Sequence, residues 1–161
     1  MRIEILLTVV AFLGVAIIWG IIYLSLRNRL ARAKGNLLVQ RGDTVYVPLV
    51  AAFSGWKGLP WLSWSHSNIG PRLALHPEHV ECKVVWRRRK PYSRIALVDY
   101  RRTIGTENVV LTFTDSISSF TGNTANRFVA REAIRSLRDH GCTLSDRAAK
   151  LLAEADDAGR A

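Results

Sequence analysis

Arg87-Arg88-Arg89-Lys90 is the densest run of one charge in the chain, and Lys83, Arg94, Arg101 and Arg102 stand close to it in sequence. Guanidinium groups present forks of N–H donors that match carboxylate and phosphate oxygens. Such a run suits an anionic partner, either acidic lipid headgroups or an acidic protein face. A plain solvated loop would carry the same residues. The candidate contact set is Arg87, Arg88, Arg89, Lys90 and Arg94. Beside an anionic leaflet each Lys or Arg contributes about 1 kcal/mol, so the run would supply roughly 3–4 kcal/mol.

A second constellation is aromatic. Trp56, Trp61 and Trp64 lie close together, interrupted by Gly58 and Pro60, which exclude a regular helix. Tryptophan favours the membrane interface because its ring is apolar while its N–H stays wet. Trp56, Trp61 and Trp64 are therefore candidates for interfacial contact, and filling the core from an aromatic loop at 51–70 is the competing role.

Other chemistry finds little footing. His76-Pro77-Glu78-His79 with Cys82 superficially suggests zinc, which wants about four N or S ligands. Strand alternation puts His79 and Cys82 on opposite faces, and a proline turn accounts for the segment better. The sequence holds no G-x-S-x-G, Walker A, G-x-G-x-x-G or H-E-x-x-H motif. The expectation is a non-enzyme with no catalytic residues, no cofactor and no metal. Nucleic acid would suit the charge, but no RNP-like or helix-turn-helix pattern is present.

These residues need elements to position them. Val45, Val47 and Leu49 alternate with Thr44, Tyr46 and Pro48. From His79 to Trp86, apolar Val80, Cys82, Val84 and Trp86 alternate with His79, Glu81 and Lys83. Further strands are expected at 37–40, 73–75, 94–101, 108–114 and 117–120. Period two with one polar face predicts a half-buried antiparallel sheet of about seven strands. On this pattern residues 87–93 form a hairpin tip that displays the cations. Val129, Ala130, Ala133, Ile134 and Leu137 then repeat at helical spacing over 126–140. Thr124 or Asn123 is placed to cap that helix and Gly141 to end it. A second helix starts at Thr143-Leu144-Ser145-Asp146, with Ala148, Leu151, Leu152 and Ala155 as its apolar face and a frayed tail after Glu154.

RLALHPEHVECKVVW, then RIALVDYRRTIGTENVVLTF, then ISSFTGN running into a helix resembles the bacterial PH-like domains that are often tethered by a transmembrane helix. The resemblance covers roughly residues 71–141. It implies an antiparallel β-rich module closed by a C-terminal helix, with ligands met by basic strand-connecting loops. The aromatic stretch at 51–70 and the second helix depart from that pattern.

The N-terminal end supplies the tether. Ile5 to Leu26 carry no charge. As a helix at about 1.5 Å per residue, that run reaches roughly the 30 Å of a hydrocarbon core. It exceeds the apolar core of a cleaved signal peptide. Arg27, Arg29, Arg32, Lys34 and Arg41 follow it, whereas Arg2 is offset by Glu4. The positive-inside bias then puts the N-terminus out and the remainder in the cytoplasm. Charge by segment agrees: residues 27–102 hold 15 basic and 4 acidic residues, while 103–161 hold 7 and 8. Two cysteines, Cys82 and Cys142, make no disulfide framework and are expected as reduced thiols.

The expected fold class is α+β: an N-terminal transmembrane helix followed by a small antiparallel PH-like domain with C-terminal helices. Its parts are a short extracytoplasmic start at 1–4, the span at 5–26 and a basic linker at 27–36. The β-rich domain at 37–141 and an extra helix and tail at 142–161 follow. The expected function is a single-pass inner-membrane protein whose cytoplasmic module binds anionic lipid or an acidic protein as an adaptor. The alternative is a structural subunit of a larger membrane complex, in which the cations only set topology.

Overall fold

The computed structural model describes residues 12–25, 28, 37–56, 59–67, 70–103 and 106–158; at 59–67 and 155–158 the description is of the backbone. The chain divides into two compact units, Met1–Arg32 and Ala33–Ala161.

In the first unit, helix α1 covers residues 12–25. Its large apolar side chains are exposed around the helix, from Phe12 and Trp19 to Tyr23 and Leu24. The described part of α1, residues 12–25, measures roughly 21 Å at about 1.5 Å per residue. Among the described residues, no helix is long and apolar enough to cross a membrane. The single-pass transmembrane helix expected over 5–26 is corrected accordingly; residues 5–11 and 26 of that stretch lie outside the described residues. The orientation argued from its flanks rests on charge alone.

Among the described residues the second unit comprises ten strands and two helices. In chain order these are β1 (Val39–Arg41), β2 (Thr44–Val47), β3 (Ala51–Trp56), β4 (Leu59–Ser67), β5 (Arg72–Leu75), β6 (His79–Lys83), β7 (Arg87–Pro91), β8 (Ile95–Thr103), β9 (Thr106–Phe113) and β10 (Ser118–Asn123), then α2 (Arg127–Asp139) and α3 (Asp146–Ala158). They form two antiparallel five-stranded sheets, ordered β1-β2-β5-β6-β7 and β4-β3-β10-β9-β8. A 3-10 turn at Tyr92–Arg94 passes the chain from the first sheet to the second. The expectation of about seven strands missed β7 and the pair β3 and β4. The aromatic and Ser-rich sequence of that pair suits a pleated surface, and Gly55 sits where the ladder shifts register.

Local chemistry explains the remaining joints. Gly42, at φ +57°, opens the two-residue turn between β1 and β2. Asn126 rather than Thr124 or Asn123 caps α2, its side chain accepting from the Phe128 N–H at 2.9 Å. Gly141, at φ +81°, closes α2: its N–H donates to the Arg138 carbonyl, and that of Cys142 to the Leu137 carbonyl. This pairing satisfies two end carbonyls of the helix. Ser145, not Thr143, caps α3 through its hydroxyl and the Ala148 N–H. The helix runs on to Ala158, past the fraying expected after Glu154.

One core joins these parts. Leu73, Leu75 and Val80 of the first sheet meet Val98, Val109 and Leu111 of the second, with Val129, Ile134 and Leu137 of α2 and Leu151 of α3 in the same cluster.

Candidate functional site

Strand register decides what the cationic run does. Arg87 pairs opposite Lys83, Arg88 opposite Cys82, Arg89 opposite Glu81 and Lys90 opposite Val80. The expected hairpin tip at 87–93 is thus corrected: the cations lie along β7, and the tip is Val84-Val85-Trp86. β7 is an edge strand, where charges and a terminal proline are tolerated and discourage further pairing. Because successive side chains alternate in direction, the run is split two and two.

Arg87 and Arg89 share the outer face with Glu81. That carboxylate is buried, yet it meets Arg89 at 3.0 Å, Arg87 at 3.4 Å and Arg72 at 3.7 Å. The three guanidinium side chains are 43–63% exposed. One negative charge therefore anchors three positive ones, and Lys83 adds another on the same face. The outer face keeps a strong positive excess. Arg72 also lies over the Tyr46 ring, 5.7 Å from its centroid.

Arg88 and Lys90 share the inner side with Cys82 and Val80. They border a cleft of about 560 Å³ between the β6–β7 hairpin and the segment from the end of β9 into β10. Cys82, Val84, Phe113 and Phe120 give it apolar walls, and Trp86 stands at its rim. Lys90 donates to Asp115 at 2.6 Å. That bond, with the charges of Lys90 and Arg94, holds the Asp115 carboxyl below the usual carboxylate range. Arg88 donates to the Ser118 hydroxyl at 3.2 Å, which in turn lies 2.7 Å from that of Ser116. Among the described residues Arg88 has no carboxylate partner, unlike Arg87, Arg89 and Lys90. Burial first, then the neighbouring Glu81, pushes the Cys82 thiol far above its ordinary range. It is a protonated wall of the cleft rather than a nucleophile.

The β6–β7 tip is apolar and open to solvent. Val85 is 51% and Trp86 78% exposed. Alternation placed Trp86 on a sheet face in the sequence, but β6 ends at Lys83 and the turn turns the ring outward. Of the expected aromatic contacts, Trp56 ends β3 and is half exposed, while Trp61 and Trp64 lie on β4, where only the backbone is described. Arg94 ends the 3-10 turn, exposed, with its carbonyl accepting from the Thr114 N–H at 2.9 Å. Glu81, Arg72, Trp86 and Ser118 were missed from sequence. The opposite charges of Glu81 and Arg89 across a short turn were the available signal.

A second cleft, about 400 Å³, is bordered by Arg101, Arg102, Arg127 and Arg147. Its four arginines are ion-paired: Arg101 and Arg147 to Asp99, Arg102 to Glu107 and Arg127 to Glu154; Lys150 also lines it. It works as a structural ion network.

His76 and His79 stack at 4.4 Å. Among the described residues no group of three His, Cys, Asp or Glu side chains is placed to hold a metal ion. Comparison of the chain with protein-family models and with curated proteins gave no match, so the PH-like resemblance rests on the quoted residues alone.

Proposed function

We propose that the β domain is a binding module that docks reversibly on anionic lipid surfaces, leading with the β6–β7 tip. One observation carries this: Val85 and Trp86 project from a turn flanked by Lys83 and Arg87, with the basic outer face directly behind. An exposed indole between cations suits the headgroup layer, where its ring is half wet and the charges meet phosphate oxygens. An acidic protein face would satisfy the cations but gives no reason for the bare indole.

Arg72, Lys83, Arg87 and Arg89, beyond what Glu81 offsets, supply about 3 kcal/mol at an anionic leaflet. Burying the tip's apolar area adds about 2 kcal/mol. The association is weak, with a dissociation constant on the order of 10⁻⁴ M. The role is binding, not catalysis.

The test uses the full chain carrying Val85→Cys labelled with an environment-sensitive dye. We expect a blue shift with phosphatidylserine-containing vesicles and none with pure phosphatidylcholine. Lys83→Gln with Arg87→Gln should remove it. A dye that stays in water with both vesicle types, or shifts equally with both, would refute the docking.

A further inference from the structure

We infer that the cleft behind β7 holds a long-chain carboxylate, with its chain on the apolar walls and its head on Arg88. This goes beyond surface docking, because it needs one soluble amphiphile and no bilayer.

Arg88 stands on the core-facing side of its strand, level with Cys82. Arg88 is itself exposed, at the mouth of the cleft, so its charge is hydrated and open to an anion entering there. Lys90, on the same side and partly buried, is paired with Asp115 at 2.6 Å. Arg88 has found only a neutral hydroxyl, Ser118, at 3.2 Å. A guanidinium carries five N–H donors in a planar fork, and a carboxylate fills two of them at once. Asp115 does not occupy this role, because it is bound to Lys90 and its negative charge is already offset there.

The cleft beyond Arg88 is lined in part by Ser54, Ser116, Ser118 and Ser119, and beside them by an apolar wall. Val84, Phe113, Phe120 and the protonated thiol of Cys82 form that wall. At about 560 Å³ the cleft is within the usual range of small-molecule sites, roughly 300–1,000 Å³. Trp86 at the rim is exposed enough to fold over a chain entering there. Inward charges on an edge strand also prevent sheet extension. That role asks for charge alone and gives no purpose to a chamber with an apolar wall behind it. A short acid would use Arg88 and leave the chamber empty; a neutral chain would fill the chamber and leave Arg88 unmatched. A long-chain carboxylate answers both.

The probe is dodecanoate carrying a photoreactive diazirine at the chain end, mixed with the full chain, irradiated and mapped by mass spectrometry. We expect saturable adducts within 84–88 or 113–120. Unlabelled dodecanoate should compete and acetate should not. Arg88→Gln should raise the half-saturating concentration at least tenfold, about 1.4 kcal/mol, and Arg88→Lys should restore part of it. Val84→Asp, at the half-buried turn, provides a second variant and should abolish cleft adducts while circular dichroism stays unchanged. Adducts confined to α1, cleft adducts indifferent to Arg88→Gln, or acetate competing as well as dodecanoate would each overturn the assignment. The dye at position 85 reads docking separately, so either proposal fails without the other.

Discussion

His76 shows how a single side chain ties stability to pH. Its Nδ1 lies 3.0 Å from the Thr44 hydroxyl and its ring stacks on His79 at 4.4 Å. Burial, then the neighbouring His79, lowers its pKa below the ordinary 6.5, with Arg89 and Arg72 pushing the same way against Glu81. The folded protein therefore resists a proton that the unfolded chain accepts. The stability that His76 contributes is intact above pH 6.5 and is lost as pH falls below it toward the depressed folded value. Thermal unfolding from about pH 7 to about pH 5 should show a falling midpoint. His76→Gln should flatten part of that fall, and an unchanged slope would remove His76 from the account. From sequence, His76 was read as part of a proline turn in preference to a zinc site. Its stacking partner three residues on came with the tight β5–β6 connection.

Among the elements, α3 is held by one carboxylate. Asp99 on β8 accepts from the Ser145 hydroxyl at 2.7 Å, Arg147 at 2.6 Å, Arg101 at 3.1 Å and the Tyr100 N–H at 2.8 Å. Residues 143–145 also close the edge of β8: the Val98 N–H donates to the Thr143 carbonyl and the Ser145 N–H to the Val98 carbonyl. Asp99 is buried, so its removal leaves donors without their acceptor. Asp99→Ala should cost about 3 kcal/mol and speed amide exchange at Ala149 before that of β9. Arg147→Met should cost less, because that side chain is 59% exposed. Uniform exchange across α3 and β9 in Asp99→Ala would argue against a local anchor. The apolar stripes of both helices were legible from spacing, since Val129 to Leu137 and Ala148 to Leu152 are buried as their periodicity requires. The caps were not. Several nearby Thr, Ser and Asn residues compete for each helix start, and the path of the incoming chain selects among them.

For the whole molecule, the charge excess is the dominant field. The net charge is +10, and the first 76 residues after position 26 hold the surplus. On the first sheet it is concentrated around one buried carboxylate instead of being spread evenly. Docking through that face should therefore weaken with salt. Raising ionic strength from about 0.1 M to 1 M shortens the screening length from about 10 Å to about 3 Å. The shift of the dye at position 85 on anionic vesicles should fall steeply over this range. Occupancy of the cleft by dodecanoate should fall less, because its apolar contacts are not screened. Equal salt dependence for both would mean that the cleft adds nothing beyond the surface charge.

Alternation, helical periodicity and charge by segment are written into neighbouring residues, so the sequence alone determined most strand locations, both C-terminal helices and a strongly basic middle. It did not determine the N-terminal span, where apolar content was read as length of helix. Nor did it determine the division of the Arg87–Lys90 run between an outer face and a cleft. That division depends on register, and on pairs such as Arg88 with Ser118 and Lys90 with Asp115, which are 30 and 25 residues apart. A chain read locally shows which residues carry charge. Only the packing of two sheets sets which charges are matched, because burial and partnership are properties of residues brought together from afar.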